Sequence, residues 1–253
     1  MEVQGAQVVR RVGAVLRAVA SAQGCSTSEV ALTSGLSRPT THRLLVSLQT
    51  EGFVDREQAS GRWFLGPETY LMGMVAAERF DVTRHARDVV EKLAEVTGES
   101  AFFSVRRQSE TICLVRVEGS FPIRSFVLYE GVRFPLGVAS AGLAILAHLP
   151  KQDVEQYLRE SELTQVWGPG HGQEELRDRI EQTRLRGYAV NPGLIVEGSW
   201  GMGAAVFSST GRPEWALSIT GVESRFGPDR QPELGRLLLK AAHGLTQLLR
   251  HPR

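Results

Sequence analysis

Only two of the 253 residues are cysteines, Cys25 and Cys113, far apart and without Cys-x-x-Cys spacing, which excludes a disulfide framework and a cysteine-based zinc site. Both read as small buried hydrophobes. Long apolar runs are absent as well: none approaches the roughly 20 residues that span a bilayer, and the opening MEVQGAQVVRRVG lacks the basic-then-apolar order of a secretion signal. The expected setting is the cytoplasm, with no membrane partner. The six histidines show no HExxH or similar spacing, so neither a metal site nor a cofactor is expected. The glycines of GSWGMG (198–203) do not open a helix after a strand, as a dinucleotide fingerprint requires, and no nucleophile has a base beside it in sequence. No catalytic residue is therefore expected, although a small-molecule enzyme with an accessory helix-turn-helix domain stays open as the alternative. Net charge is scarce too, at +1, with +2 over residues 1–66 and −1 over the remainder. A difference that small does not establish a nucleic-acid surface, and the residue pattern has to carry that argument.

The pattern is informative between residues 8 and 66. Val8, Val12, Val15, Leu16 and Val19 recur at helical spacing, with Arg10, Arg11 and Arg17 on other faces, which predicts an amphipathic first helix. Ser26 or Thr27 can cap a second helix that has Val30 and Ala31 inward and stops at Ser34-Gly35. Ser37 can cap a third: Pro39 suits a first helical turn, and Leu44, Leu45 and Leu48 form the apolar stripe up to Gly52. Two short strands flanking EQASG then form a hairpin. Helix, short turn, helix and hairpin is the plan of a winged helix-turn-helix, whose second motif helix enters the major groove. Turning the leucines inward leaves Arg38, Thr40, Thr41, His42 and Arg43 to meet bases or phosphates, while Arg56 and Arg62 of the hairpin reach the backbone beside the groove. A purely structural three-helix unit with solvated arginines is the alternative on periodicity alone.

Beyond Gly66, residues 67–81 read as a linker helix, and 82–253 as helices before, between and after hairpin-like strands, an α+β arrangement with helices on an antiparallel sheet. Strands are expected at SAFFSVRR, TICLVRVEG, IRSFVLY, YAV, MGAAVFSS and PEWALSITGV. A helix from 81 to 98 should turn Val82, Ala86, Val89, Val90, Leu93 and Val96 inward. The small residues Ala139, Ser140 and Ala141 open an apolar helix, leaving backbone N–H groups accessible where the helix dipole favours an anion; close packing of helix on sheet is the alternative. Ser218 and Thr220 alternate along a strand and so share a face, where two hydroxyls can bind a polar ligand end or simply be satisfied in the core.

Both halves resemble the isocitrate lyase regulator (IclR) family of bacterial transcription factors. In the first, the resemblance rests on Glu29-Val30-Ala31, Ser34-Gly35-Leu36, Thr40 to Leu45, Leu48, Gly52-Phe53-Val54 and Phe64-Leu65-Gly66. In the second, it rests on Gly131, Phe134-Pro135-Leu136, Ala139 to Gly142, Ala144 to Ala147, Gly187-Tyr188, Ala204 to Val206 and Ala216 to Gly221. It implies a winged helix-turn-helix followed by a GAF-like α+β effector domain, double-stranded DNA with an inverted-repeat operator as partner, and a homodimer or dimer of dimers. It also implies that Ser140 and Ala141 hold the carboxylate of a small effector. Asn191 stands where the family has an acidic run, and Gly201 where some members have cysteine, both at effector positions. Phe126 and Phe134 take aliphatic pocket positions, and with Trp200 they suggest an aromatic acid, core packing being the alternative for each.

Overall fold

The computed structural model describes residues 4–79 and 82–250, which form two compact units divided after Asp81. The expected domain ends at 1–3, 80–81 and 251–253 lie outside the described residues.

The first unit is built on helices α1 (Gln4–Ala20), α2 (Thr27–Ser34) and α3 (Arg38–Thr50), the hairpin β1 (Val54–Arg56) and β2 (Trp63–Leu65), and helix α4 (Pro67–Arg79). Ser26 caps α2 through a reciprocal box with Glu29, and Gly35 ends it in the left-handed conformation (φ 69°), which only a residue without a Cβ adopts freely. Ser37 accepts from the Thr40 N–H at the start of α3. Val15, Val19, Val30, Leu45, Leu48, Val54 and Trp63 fuse into one core, and Leu36 and Leu44 pack at its margin. Val8 lies at the expected spacing yet is exposed, because α1 extends beyond the body it packs on.

The second unit is a six-stranded antiparallel sheet between two helical layers. Helix α5 (Val82–Thr97) leads into β3 (Ser100–Arg107) and β4 (Glu110–Val117), and β5 (Arg133–Pro135) precedes α6 (Ser140–Ala147). Helices α7 (Lys151–Glu160), α8 (Thr164–Trp167) and α9 (Gln173–Arg186) follow, then β6 (Ala189–Pro192), β7 (Ser199–Phe207), β8 (Pro213–Val222) and α10 (Gln231–Arg250). The strand order is β5-β4-β3-β8-β7-β6. Phe103, Val115, Met202, Ala204, Leu217 and Ile219 face α5 and α10, whereas Phe102, Cys113 and Ala216 face the layer that contains α6 and α9. Alternate residues of each strand thus enter opposite cores, which is the period-two rule read in three dimensions.

Two expectations are corrected. Ile123–Tyr129 is not a strand: residues 119–132 run as an irregular segment, and the third strand of that hairpin is Arg133–Pro135. Leu128 turns inward while Phe126, two residues before it, and Tyr129 turn outward, so the segment lacks the period-two alternation of a strand and lines the core without joining the hydrogen-bonded ladder. Val96, near the end of α5, is exposed because it lies beyond the edge of the buried face formed by Val82, Ala86, Val90, Leu93 and Thr97.

Candidate functional site

The exposed face of α3 presents Arg38, Pro39, His42 and Arg43. Arg38, His42 and Arg43 make no hydrogen bond or ion pair among the described residues, so their donors are uncommitted. Thr40 is half-buried, and its hydroxyl takes a bond from Ser37 at 2.9 Å. Thr41 is a correction. Its side chain is fully buried, and its hydroxyl donates to the Ser37 carbonyl at 3.1 Å, so it belongs to the core side of the helix with Leu45 and Leu48. On the hairpin, Arg56 donates to the Gly61 carbonyl at 3.2 Å and lies 5.6 Å from the Trp63 ring centre, which holds its guanidinium beside the turn. Arg62 is committed elsewhere: it donates to the Gly24 carbonyl at 2.6 Å and sits 3.8 Å from Glu29, so part of its charge is neutralised within the protein.

In the second unit the first residues of α6 lie against the open face of β7 and β8. Register pairs Gly201 with Thr220 and Gly203 with Ser218, and directly paired residues share a face, so both glycines and both hydroxyls look toward α6. A Cβ on Gly201 would meet the Ser140 Oγ at 3.2 Å, and one on Gly203 would reach the Ser140 carbonyl oxygen at 2.6 Å. Close packing of helix on sheet is therefore a real role of these small residues. It is not the whole of it. Ala139 occupies the cap position of α6, in extended conformation, and no side chain caps the helix. The Ser218 Oγ and Thr220 Oγ1 are buried without a hydrogen-bond partner, a costly arrangement for two hydroxyls on the same strand face.

Between them is a small cavity of about 20 Å³, bordered by Val127, Leu128, Ala139, Ser140, Asn191, Ile195, Ser199, Trp200, Gly201 and Thr220. That is room for about one water molecule. The 119–132 segment, which supplies Val127 and Leu128, is tied to β7 by the Ser125 and Ser199 hydroxyls at 2.6 Å. Asn191 is fully engaged: its amide donates to the Val138 carbonyl at 2.7 Å, and its Oδ1 accepts from Leu194 N–H at 3.0 Å.

Comparison with known proteins bears on both units. Residues 8–58 match the IclR helix-turn-helix domain, and residues 74–247 match the bacterial transcriptional regulator IclR C-terminal family. The chain belongs to the IclR family. It is 30% identical to the HTH-type transcriptional regulator KipR of Bacillus subtilis over 85% of this chain and 86% of that protein. It is also 30% identical to the transcriptional repressor IclR of Escherichia coli over 87% and 81%. The Thermotoga maritima IclR crystal structure superposes with a TM-score of 0.74 at 25% identity, covering 97% of this chain and 99% of that one. An IclR homologue from Microbacterium hydrocarbonoxydans, crystallised with 4-hydroxybenzoate, superposes with a TM-score of 0.76 at 22% identity, covering 96% and 98%.

IclR family membership makes this chain a DNA-binding transcriptional regulator, with a winged helix-turn-helix followed by an α+β effector unit. Of the residues expected at the effector, Ala139, Ser140, Asn191, Trp200, Gly201 and Thr220 border the cavity. Ala141 and Ser218 lie beside it in the same helix start and strand. The two phenylalanines are not there. Phe126 is 73% exposed, under the Arg116 guanidinium, and Phe134 is buried 5.4 Å from the Trp167 ring in the α6 core. Val127, Leu128, Ile195 and Ser199 line the cavity without having been expected. The first two follow Phe126 directly in sequence, which was the available signal.

Proposed function

We propose that residues 1–66 are the DNA-binding domain, 67–81 a linker helix and 82–253 a GAF-like effector domain that responds to a small aromatic carboxylic acid. On this reading α3 enters the major groove with Arg38 toward base edges and Arg43 toward phosphate, His42 and Thr40 lie at the same surface, and Arg56 meets the backbone from the wing. The observation that carries the effector reading is the pair of unpartnered hydroxyls, Ser218 and Thr220, facing an uncapped helix start. The amides of Ser140 and Ala141 suit a carboxylate, the helix dipole adds to them, and the hydroxyls suit the ligand's polar groups. The neighbour bound to 4-hydroxybenzoate supports this class of ligand. With room for only one water, the cavity has to open before a ring can enter, and the Ser125 to Ser199 contact between the 119–132 segment and β7 is where we place that opening.

One module makes few base contacts, so we propose a homodimer, or a dimer of dimers, on an inverted repeat. Helix α4 supports it by exposing Tyr70, Leu71, Met72, Met74 and Val75, each more than half accessible and all within three turns. Among the described residues no helix is long and apolar enough to cross a membrane, and we place the protein in the cytoplasm. A sensor returns its ligand unchanged, whereas an enzyme consumes it. Incubation with a panel of benzoates, followed by thermal unfolding and recovery of the acid, tests the reading. A raised unfolding temperature with intact ligand supports it, because a ligand of the folded state stabilises by about 2.7 kcal/mol at 100 times its dissociation constant. Conversion of the acid, or no shift across the panel, would overturn it.

A further inference from the structure

Helix α9 carries four arginines, and three of them are held by protein acceptors. Arg177 pairs with Glu155, and Arg184 donates to the Ala147 carbonyl at 2.7 Å. Arg179 is different in kind. Its terminal nitrogens reach the Gly137 and Gly170 carbonyls at 3.2 and 3.0 Å, its Nε is buried without a partner, and among the described residues no carboxylate pairs with it. Burial pushes its pKa down to about 10, with the charge of Glu175 opposing the shift. Buried charges are ordinarily paired, since their lost hydration must be offset. Arg186, the fourth, makes no hydrogen bond or ion pair among the described residues.

Both unpaired arginines line the same space. Arg179, Gln182, Thr183 and Arg186 stand at i, i+3, i+4 and i+7, which is one face of α9. That face borders a groove of about 260 Å³ whose other walls are Tyr188, Val190 and Pro192 on and before the edge strand β6, Trp200 of β7, and Gln231 at the start of α10. No acidic side chain lines it. Arg186 is in the last turn of its helix, where its charge also serves the carbonyl end, so the excess positive charge comes mainly from Arg179. Two guanidinium groups and the Gln182 amide beside Trp and Tyr rings are the donor set for an anion on a flat apolar body, the Gln231 amide being tied to the Phe226 carbonyl at 2.7 Å. The groove also has nearly the volume of an ordinary ligand pocket, whereas the cavity at α6 does not.

We propose that this groove is a second ligand site, distinct from the cavity at α6, and that it takes a planar aromatic carboxylate with the anion between Arg179 and Arg186. The ring lies against Trp200 and Tyr188. Trp200 borders both spaces, so a ligand in the groove bears on one wall of the effector cavity.

Equilibrium dialysis of the full chain against 2-naphthoate tests this, with Arg186→Glu and Ser140→Pro as the variants. Arg186 is exposed, and Ser140 is the first residue of α6 behind an extended residue, where proline is tolerated, so both variants should fold. Two equivalents per chain are expected for the wild type, one for each variant and none for the double variant, with the groove affinity falling about tenfold or more on charge reversal. Unchanged stoichiometry and affinity in Arg186→Glu would overturn the groove whatever Ser140→Pro does. If Arg186→Glu loses an equivalent while Ser140→Pro binds like the wild type, the groove stands and the proposal for the α6 cavity falls.

Discussion

Gly203 of β7 lies directly beneath the first residue of α6: a Cβ there would come within 2.6 Å of the Ser140 carbonyl oxygen. The obstacle is backbone, which cannot swing aside as a side chain would. Gly203→Ala should therefore cost about 1–3 kcal/mol, the usual range for overpacking, and shift the start of α6 away from the sheet. At Gly201 the nearest atom is the Ser140 hydroxyl at 3.2 Å, which can rotate, so Gly201→Ala should cost less. Urea unfolding of both variants checks the order, and equal losses would show that the helix start is not seated on Gly203.

Ser218 and Thr220 make the opposite kind of prediction. Their buried hydroxyls lack partners, so Ser218→Ala and Thr220→Val remove a desolvation cost of about 1 kcal/mol or more each without opening a large cavity. Without ligand both variants should be as stable as the wild type or more so. With a benzoate, Thr220→Val should bind more weakly than Ser218→Ala, because Thr220 borders the cavity and Ser218 lies deeper. A destabilised pair that binds normally would mark the hydroxyls as structural.

The arginines of the first unit should separate by role. Arg43→Ala should weaken binding to every duplex and lower the log–log salt slope by roughly one unit. Arg38→Ala should cost about 1–3 kcal/mol mainly at one base pair. Arg62→Ala should behave differently from both, lowering the unfolding midpoint as well, because its guanidinium fastens the wing to Gly24 and Glu29. Anisotropy titrations at several salt concentrations, beside thermal unfolding, distinguish the three.

His171 gives the effector unit a predictable pH response. Its ring is buried, with Nδ1 2.8 Å from the Trp167 carbonyl, and burial first and Arg179 second hold its pKa below the ordinary imidazole value. The unfolded chain, at about 6.5, thus binds the proton more readily. The contribution to stability is complete above about pH 6.5 and is lost as pH falls through the depressed folded value. His171→Asn should flatten the decline in stability below pH 6.5. An unchanged pH profile would mean that the ring is solvated.

Much of this was legible in the sequence where local chemistry decides the outcome. The capping box of Ser26 and Glu29, the stop at Gly35 and the leucine stripe of α3 need only neighbours a few residues away. The burial of Thr41 was legible in principle, since 41, 45 and 48 share one helical face, but a hydroxyl at that position suggests a surface until the Ser37 carbonyl is seen to satisfy it. Residues 123–129 show the limit of composition: their apolar and β-branched side chains suggest a strand, but their burial does not alternate, and β4 residues 110–112 take Arg133–Pro135 as partner instead. Phe134 was displaced from the effector site for a related reason, as only tertiary packing shows that its ring meets Trp167. Nothing local marks Arg179 as lacking a carboxylate partner, because its acceptors are backbone carbonyls, Gly170 in the turn just before α9 and Gly137 forty-two residues away.

The central claim is that one chain joins a DNA-reading helix to a carboxylate-binding helix start and that the second governs the first. Fluorescence anisotropy of the full chain on an inverted-repeat duplex, selected from random sequence and titrated with 4-hydroxybenzoate, tests it most directly when wild type and Ser140→Pro are run side by side. The account predicts salt-sensitive binding by both proteins, a change of DNA affinity of roughly tenfold with the acid in the wild type, a coupling of about 1.4 kcal/mol, and little change in Ser140→Pro. The same response in both proteins, or no binding to any selected duplex at low salt, would contradict it.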